Sequence, residues 1–412
     1  MKRIIALTLC LLMVVSCFVG CGKKEEDYDL VVWTHYEEGT PTYDVAVEKI
    51  AAFEEMTGAK LKVMHYGRDL GTLLPAALDS GERVDISCVG STIGLAAQLD
   101  HTLDLTKYVE ESDVLDRSYP ICIDLIKEVS ENKDEYHALP TISSFNAFWY
   151  NKAAFEAAGI TENPETIEEF EAVCDALVAA GYHPIALDSA YATGYFGALV
   201  ERMVGTEIGT ELAKNGGFSE NEKFVEACQK TIEWVEKGYF DPVAPAEWPA
   251  SQNKIGLTGD VVMVFTGMWA PSEVEEMTGA DLEWGSFKFP YDPEGTGTYG
   301  VPVSSTCNFI TNTCPNPDLA WEYLYYMNTG EVNKALTDAD VYLVDDRTQE
   351  ALPEFVDTKE ILETTTEACH YAGGLTENPD IKTVMGDVII KLYSGEFKTG
   401  EEAVAAFDAL FN

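Results

Sequence analysis

At 412 residues the chain is longer than one hydrophobic core usually serves, so two domains are expected. Apolar residues make up 46% and charged residues 24%, the composition of a folded globular protein rather than a disordered one. A formal net charge of −44 sets the surface against phosphate backbones and anionic lipid, which excludes nucleic-acid binding and direct electrostatic docking on membranes. That charge serves solubility and does not fix the sign of a ligand site.

In chain order, Lys2 and Arg3 precede a charge-free run from Ile4 to Gly22, slightly short for a spanning helix and suited to a secretory leader. Two small-residue-plus-cysteine sites end it, Val14-Val15-Ser16-Cys17 and Phe18-Val19-Gly20-Cys21. Both resemble the lipobox of bacterial lipoproteins, whose cysteine is lipidated and becomes the first residue. Cys17 has the better aliphatic residue at minus three. Cys21 directly precedes the polar tether beginning Gly22-Lys23-Lys24 and is the preferred lipidation site, with Cys17 as the alternative. This resemblance implies a leader over 1–21, a tether over 22–28 and a body held outside the cytoplasm by a lipid anchor in the cell membrane.

Asp29–His35, Leu61–Tyr66 and Val84–Val89 read as strands separated by helices over Pro41–Thr57 and Leu73–Ser80. The first of these helices has a stripe at Tyr43, Val47, Ile50, Phe53 and Met56, with Gly58 as its stop. Asp104–Glu111 and Ser118–Val129 are further helices. Leu139-Pro140 is extended, because proline moves its predecessor out of helical space. The run Phe145–Tyr150 lacks strict alternation, as in a strand buried on both faces. Asn151-Lys152 then leads to a helix closed by Gly159.

Thr166 and Glu169 form a capping box for a helix to Gly181. Pro184–Leu187 is a short strand, Asp188–Tyr195 a loop, and Phe224–Lys237 an amphipathic helix. Gly259–Trp269 is a second apolar strand, and Thr306–Thr311 another. Asn316-Pro317 caps a helix, and Asp380–Gly395 and Thr399–Phe411 close the chain. Strands alternating with helices predict an α/β protein with mainly parallel sheets flanked by helices, ligands being bound beyond the strand ends.

Several stretches resemble family 1 extracellular solute-binding proteins. They are Pro140 with the aromatic strand and Tyr150-Asn151-Lys152, then Gly259-Asp260 with Gly267-Met268-Trp269, Trp284–Pro290, and Asn316-Pro317 with its alanine–aromatic helix. The resemblance implies a two-lobed, type II periplasmic-binding-protein-like fold with inter-lobe crossover strands, lobe 1 comprising 29–140 and 290–342, lobe 2 comprising 141–289 and 343–412. Hinges are then expected near Ala138–Ser144, Phe287–Pro290 and Val341–Asp345. It further implies an ABC-importer receptor, monomeric, that closes on a carbohydrate, an oligosaccharide by preference, and docks on permease subunits. Rival readings are a receptor for a polyamine, metal chelate, phosphorylated compound or peptide, a surface glycoside hydrolase, and a scaffold with no small ligand.

A sugar ring has apolar faces that stack on aromatic rings and hydroxyl edges that take hydrogen bonds. Aromatic residues at strand-to-loop junctions are therefore candidates: Trp33, Tyr36, Tyr191, Tyr195, Trp269 and Tyr299. Trp269 matches the family's sugar-stacking tryptophan. Polar partners are Ser91, Ser144, Asn146, Asp188 and Ser304.

Catalysis and cofactors find little support. The six histidines are scattered without HExxH, and no GxSxG occurs. Gly295–Gly300 spells GxGxxG, yet follows Asp292-Pro293 instead of a strand and reads as a loop. Asp338, Asp340, Asp345 and Asp346 lack the calcium-loop spacing and read as a solvated loop. Seven cysteines lie beyond the N-terminal run; only Cys307 and Cys314 are near enough in sequence to suggest a bridge.

Overall fold

The computed structural model describes residues 28–130, 132 and 134–411; the leader, both lipobox cysteines and tether residues 22–27 lie outside them. Eight strands are described: β1 Leu30–Thr34, β2 Leu61–His65, β3 Ile86–Val89, β4 Leu139–Asn151, β5 His183–Ala186, β6 Val261–Gly267, β7 Trp284–Phe287 and β8 Val303–Ile310. They are ordered β2-β1-β3-β8-β4-β6-β5, with β7 also paired to β4. The outer pairs β1–β2, β1–β3 and β5–β6 are parallel. The strands that carry the chain across the middle are antiparallel to their neighbours, so the sheet is mixed.

The 13-residue β4 is the strut of the molecule and spans about 40 Å. Leu139–Phe145 pair with β8, whereas Asn146–Asn151 pair with β6 and β7. The changeover coincides with a register shift between Ile142 and Ser144, and such a bulge bends a strand and re-aims its side chains. From Phe145 to Tyr150 every residue is buried, as the unbroken apolar run predicts. Phe148 sits in a cage of rings from Phe170, Tyr195, Phe265, Phe287 and Phe289, with centroids 4.8–5.8 Å away.

Local signals translate directly into structure at several helices. Thr40 caps Pro41–Thr57 and Gly58 ends it in the left-handed region at φ 73°. The buried face, however, is Thr42, Ala46, Ile50 and Phe53; Val47 and Met56 face solvent at 41% and 61% exposure. The expected stripe was thus rotated by about one residue, since small Thr42 and Ala46 fit the close approach. The capping box of Thr166 and Glu169 is complete, with both reciprocal bonds made.

Two expectations are corrected. Asp188–Tyr195 is no loop: Ser189–Met203 is one helix, and its glycines are there for close packing. A Cβ on Gly194 would lie 2.2 Å from the Tyr371 ring, and one on Gly197 2.3 Å from the Ala372 backbone. The return between the two halves is also not at Phe287–Pro290, because Phe287 and Phe289 belong to the second-half core. The chain crosses back at Val301–Ser304, where Asn146 N–H donates to Pro302 O at 3.1 Å.

The Gly295–Gly300 segment is the expected loop. Cβ atoms on Gly295 and Gly297 would strike the Arg202 and Glu201 carbonyl oxygens at 2.1 and 1.4 Å. Buried Arg202 pins the same loop through the carbonyls of Phe289, Thr298 and Gly300 at 3.1, 2.9 and 2.7 Å. All seven described cysteines are free thiols, so Cys307 and Cys314 form no bridge.

Candidate functional site

Beyond the end of β1 the chain turns through His35 and Tyr36 into a cavity of about 240 Å³. Its walls come from the start of helix Pro41–Thr57 (Thr42), from β4 and β8 (Thr141, Asn308), and from the third inter-half segment (Asp340, Tyr342, Asp345). His35 Nδ1 lies 3.2 Å from Cys88 Sγ. Burial pushes the Tyr36 phenol well above its usual range, and the neighbouring Cys88, Asp345 and Asp340 push the same way.

Asp345 ties the segments of the hinge together. Ile142 N–H, at the bulge of β4, donates to its carboxylate at 2.5 Å, and Asn333 Nδ2 donates at 3.1 Å. Burial raises its pKa to about 7. Its neighbour Asp346 is buried and paired with Arg117 at 2.9 Å. These two carboxylates are structural parts of the crossing, which corrects the solvated-loop reading. Asp338 pairs with Lys334 at 2.7 Å. Among the described residues no group of three or more His, Cys, Asp or Glu is placed to hold a metal ion.

The second half carries its own group of aromatic side chains around Trp269. Trp269 stands at the N-cap of helix Ala270–Thr278. Its six-membered ring lies over Gly267, where a Cβ would come within 2.1 Å of it. The Gly267-Met268-Trp269 pattern thus has a steric cause: only glycine leaves room for the indole two residues on. Tyr191, on helix Ser189–Met203, has its hydroxyl oxygen where the indole N–H groups of Trp269 and Trp248 can donate to it. Tyr371 lies against Gly194 and, like Trp248, is 41% exposed. Tyr342 links the two faces, since it lines the cavity and feels the carboxylates of Asp340 and Glu273. Glu273, one turn along the Trp269 helix, accepts from Gln252 Nε2 at 3.1 Å.

Of the sequence candidates, Tyr36 lines the cavity, and Tyr191 and Trp269 stand beside each other in the second half. Ser144 is half-buried at the bulge, its hydroxyl 3.4 Å from Oδ1 of Asn146, which is 5% exposed. Trp33 packs inward at 4% exposure, its ring centroid 4.5 Å from that of Tyr66. Ser91 spends its hydroxyl on capping helix Thr92–Gln98 through Gly94 N–H at 3.1 Å. Asp188 is fully buried and accepts from Ser251 and Gln252 N–H at 2.9 and 3.1 Å. Tyr195 is core. Tyr299 belongs to a separate group, with Lys288 Nζ 3.8 Å above its ring and Tyr291 5.0 Å away.

Tyr342, Tyr371, Trp248, Thr42 and Glu273 were not singled out from the sequence. A glycine inside a helix, Gly194, was the readable sign of Tyr371; the others gave none.

The model for the bacterial extracellular solute-binding protein family matches residues 36–334. A Mesorhizobium japonicum protein named "Probable sugar-binding periplasmic protein" is 24% identical over 319 residues, 73% of each chain. Brucella relatives are 26% identical over 199 residues and are covered to 46%, so the chain spans about half the length of the first curated relatives that it matches. Among solved structures, ligand-free RafE of Streptococcus pneumoniae superposes with a TM-score of 0.73 at 19% identity, over 94% of this chain and 98% of that one. RafE in complex with raffinose gives 0.64 at 20% identity, over 93% and 99%. No helix among the described residues is long and apolar enough to cross a membrane. With a family model covering most of its length and a two-lobed fold shared with RafE, this chain belongs to the bacterial extracellular solute-binding protein family.

Proposed function

We propose that this chain is the extracytoplasmic receptor of an ABC importer, which captures a carbohydrate, an oligosaccharide by preference, and hands it to the permease. The observation that supports the reading is a polar cavity at the strand ends of the first half together with an aromatic group, Trp269 and Tyr191, in the second, Tyr342 lying near carboxylates of both. Rings stack on sugar faces while carboxylates, amides and hydroxyls take the sugar edges. The sugar named for the Mesorhizobium relative and the raffinose of RafE support the same ligand class.

Closure is the mechanism. A ligand touching both faces favours the closed arrangement by its differential affinity for the two states. Bending falls on the three connections: the bulge of β4, the Val301–Ser304 return, and the segment at Val341, a non-glycine residue at φ 54°. We assign lobe 1 to 29–140 with 302–342 and lobe 2 to 141–301 with 343–412; the return moves from the expected 289/290 because the Gly295–Gly300 loop rides on lobe 2 through Arg202. Cys21, or alternatively Cys17, carries the lipid anchor, and the receptor acts as a monomer without a cofactor and without catalysis.

The test is thermal melting of the body from Lys23 onward against a panel of mono- and oligosaccharides. Ligand at a hundred times its dissociation constant adds about 2.7 kcal/mol, an upward shift of a few degrees. A panel without any shift, together with unchanged X-ray scattering, removes the carbohydrate reading. For the anchor, Cys21→Ala is expected to leave a larger, unprocessed precursor; unaltered mobility with loss of processing in Cys17→Ala moves the site to Cys17.

A further inference from the structure

Carboxylates without an ion-pair partner among the described residues lie in the cavity and near Tyr342 at its wall. Asp340 and Asp345 line the first-half cavity, whose lining includes no lysine or arginine. On the other face Glu273 acts on both Tyr191 and Tyr342. Neither Asp340 nor Glu273 takes part in an ion pair among the described residues. His35 does not supply the missing charge, because desolvation outweighs the pull of Asp340 and holds its pKa below the usual range. Arg68, on the adjoining loop after β2, is 97% exposed and faces Glu37 at 3.9 Å.

A second feature points to a ligand independently of charge. Thr42 lines the cavity at 7% exposure, and its Oγ1 has no hydrogen-bond partner. Buried polar atoms left unbonded carry a desolvation cost that a bound molecule relieves. A metal ion does not answer this description, since no set of three ligating side chains converges among the described residues. An ammonium does: it needs carboxylates and oxygen acceptors, and it is attracted to the faces of tyrosine and tryptophan.

Building on the carbohydrate reading, we propose that the cleft selects an aminated carbohydrate, an oligosaccharide with a free protonated amine held between Asp340 and Glu273. Thr42 then bonds to the sugar unit in the cavity while Trp269 and Tyr191 stack on a neighbouring unit. Neutral sugars make the stacking and hydroxyl contacts but lack the charge pairing. Uronates bring a like charge into a carboxylate-lined cleft and are disfavoured.

The test is calorimetry on the full chain, processed in a bacterial host and purified in mild detergent, at about pH 6, where a sugar amine is protonated. The probes are matched neutral, free-amine and uronate oligosaccharides in the gluco and galacto series, with spermidine beside them. In any series that binds, the amine is expected to bind roughly tenfold tighter than the neutral sugar and the uronate roughly tenfold weaker. Asp340→Asn and Glu273→Gln should each shrink the amine-to-neutral ratio several-fold. Equal binding of amine and neutral sugar, or uronate binding as tight as neutral, overturns this selectivity and leaves the carbohydrate receptor standing. Spermidine bound more tightly than every sugar, or no sugar bound at all, overturns the carbohydrate reading along with it.

Discussion

The two faces of the cleft are built from opposite materials. The first-half face is a cavity in which polar groups are held by long-range partners: Asp345 by Ile142 and Asn333, His35 beside Cys88. The second-half face is a wall of rings placed by glycines, with Trp269 over Gly267 and Tyr371 over Gly194. One face therefore owes its shape to hydrogen bonds between distant segments, and the other to local steric permission. That difference governs how each responds to mutation: the wall loses contact area, whereas the cavity changes its charge and its coupling to the hinge.

The largest expected effect falls on the strut both faces share. Phe148→Ala empties the centre of a ring cage at 0% exposure and should cost about 3–5 kcal/mol of stability, read by denaturant or thermal melting. A loss under about 1 kcal/mol would mean the faces do not hang on β4.

Next comes the wall. Trp269→Ala is expected to weaken oligosaccharide binding by about 2–3 kcal/mol, the scale of an aromatic hot spot, while the melting temperature without sugar stays nearly constant. Unchanged affinity would take Trp269 out of the site.

The cavity responds to pH instead. Asp345 has a raised pKa of about 7 in the folded state against an ordinary 3.8. Between these values the folded state holds the proton that the unfolded chain has lost, so stability from this group falls as pH rises from about 4 to 7 and is level above. Asp345→Asn removes the titration. Its unfolding free energy relative to wild type should therefore climb across that window, by an amount of order 1–2 kcal/mol at pH 7 given the water-accessible cavity, as read by denaturant melts. A pH-independent difference would show that Asp345 titrates normally.

The smallest effect sharpens the steric account of the wall. Gly267→Ala forces the indole off its bed and should lower affinity by roughly tenfold, about 1.4 kcal/mol, with the fold retained. If affinity holds, Trp269 binds sugar from more than one position.

Much of this protein was legible because its signals are local. The cap of Thr166 and Glu169, the stop at Gly58 and the apolar run Phe145–Tyr150 each act within a few residues, and each stands where local rules put it. The family resemblance rested on the same kind of signal, Tyr150-Asn151-Lys152 and Gly267-Met268-Trp269. Trp33 was misjudged because β1 is covered on both faces: Val31 and Trp33 enter one core, Leu30 and Val32 the other. Position near a strand end did not bring its side chain to the cleft.

Sequence alone determined most element types, the α/β class and the two-lobed family, because propensity, capping and apolar period act over a turn or a strand. Tertiary structure decided the rest. Asp188 is spent on amides of Ser251 and Gln252, and Asp345 on Ile142, far away in sequence. Whether a carboxylate faces a ligand or a backbone N–H depends on which distant segment packs beside it, and no local pattern encodes that contact.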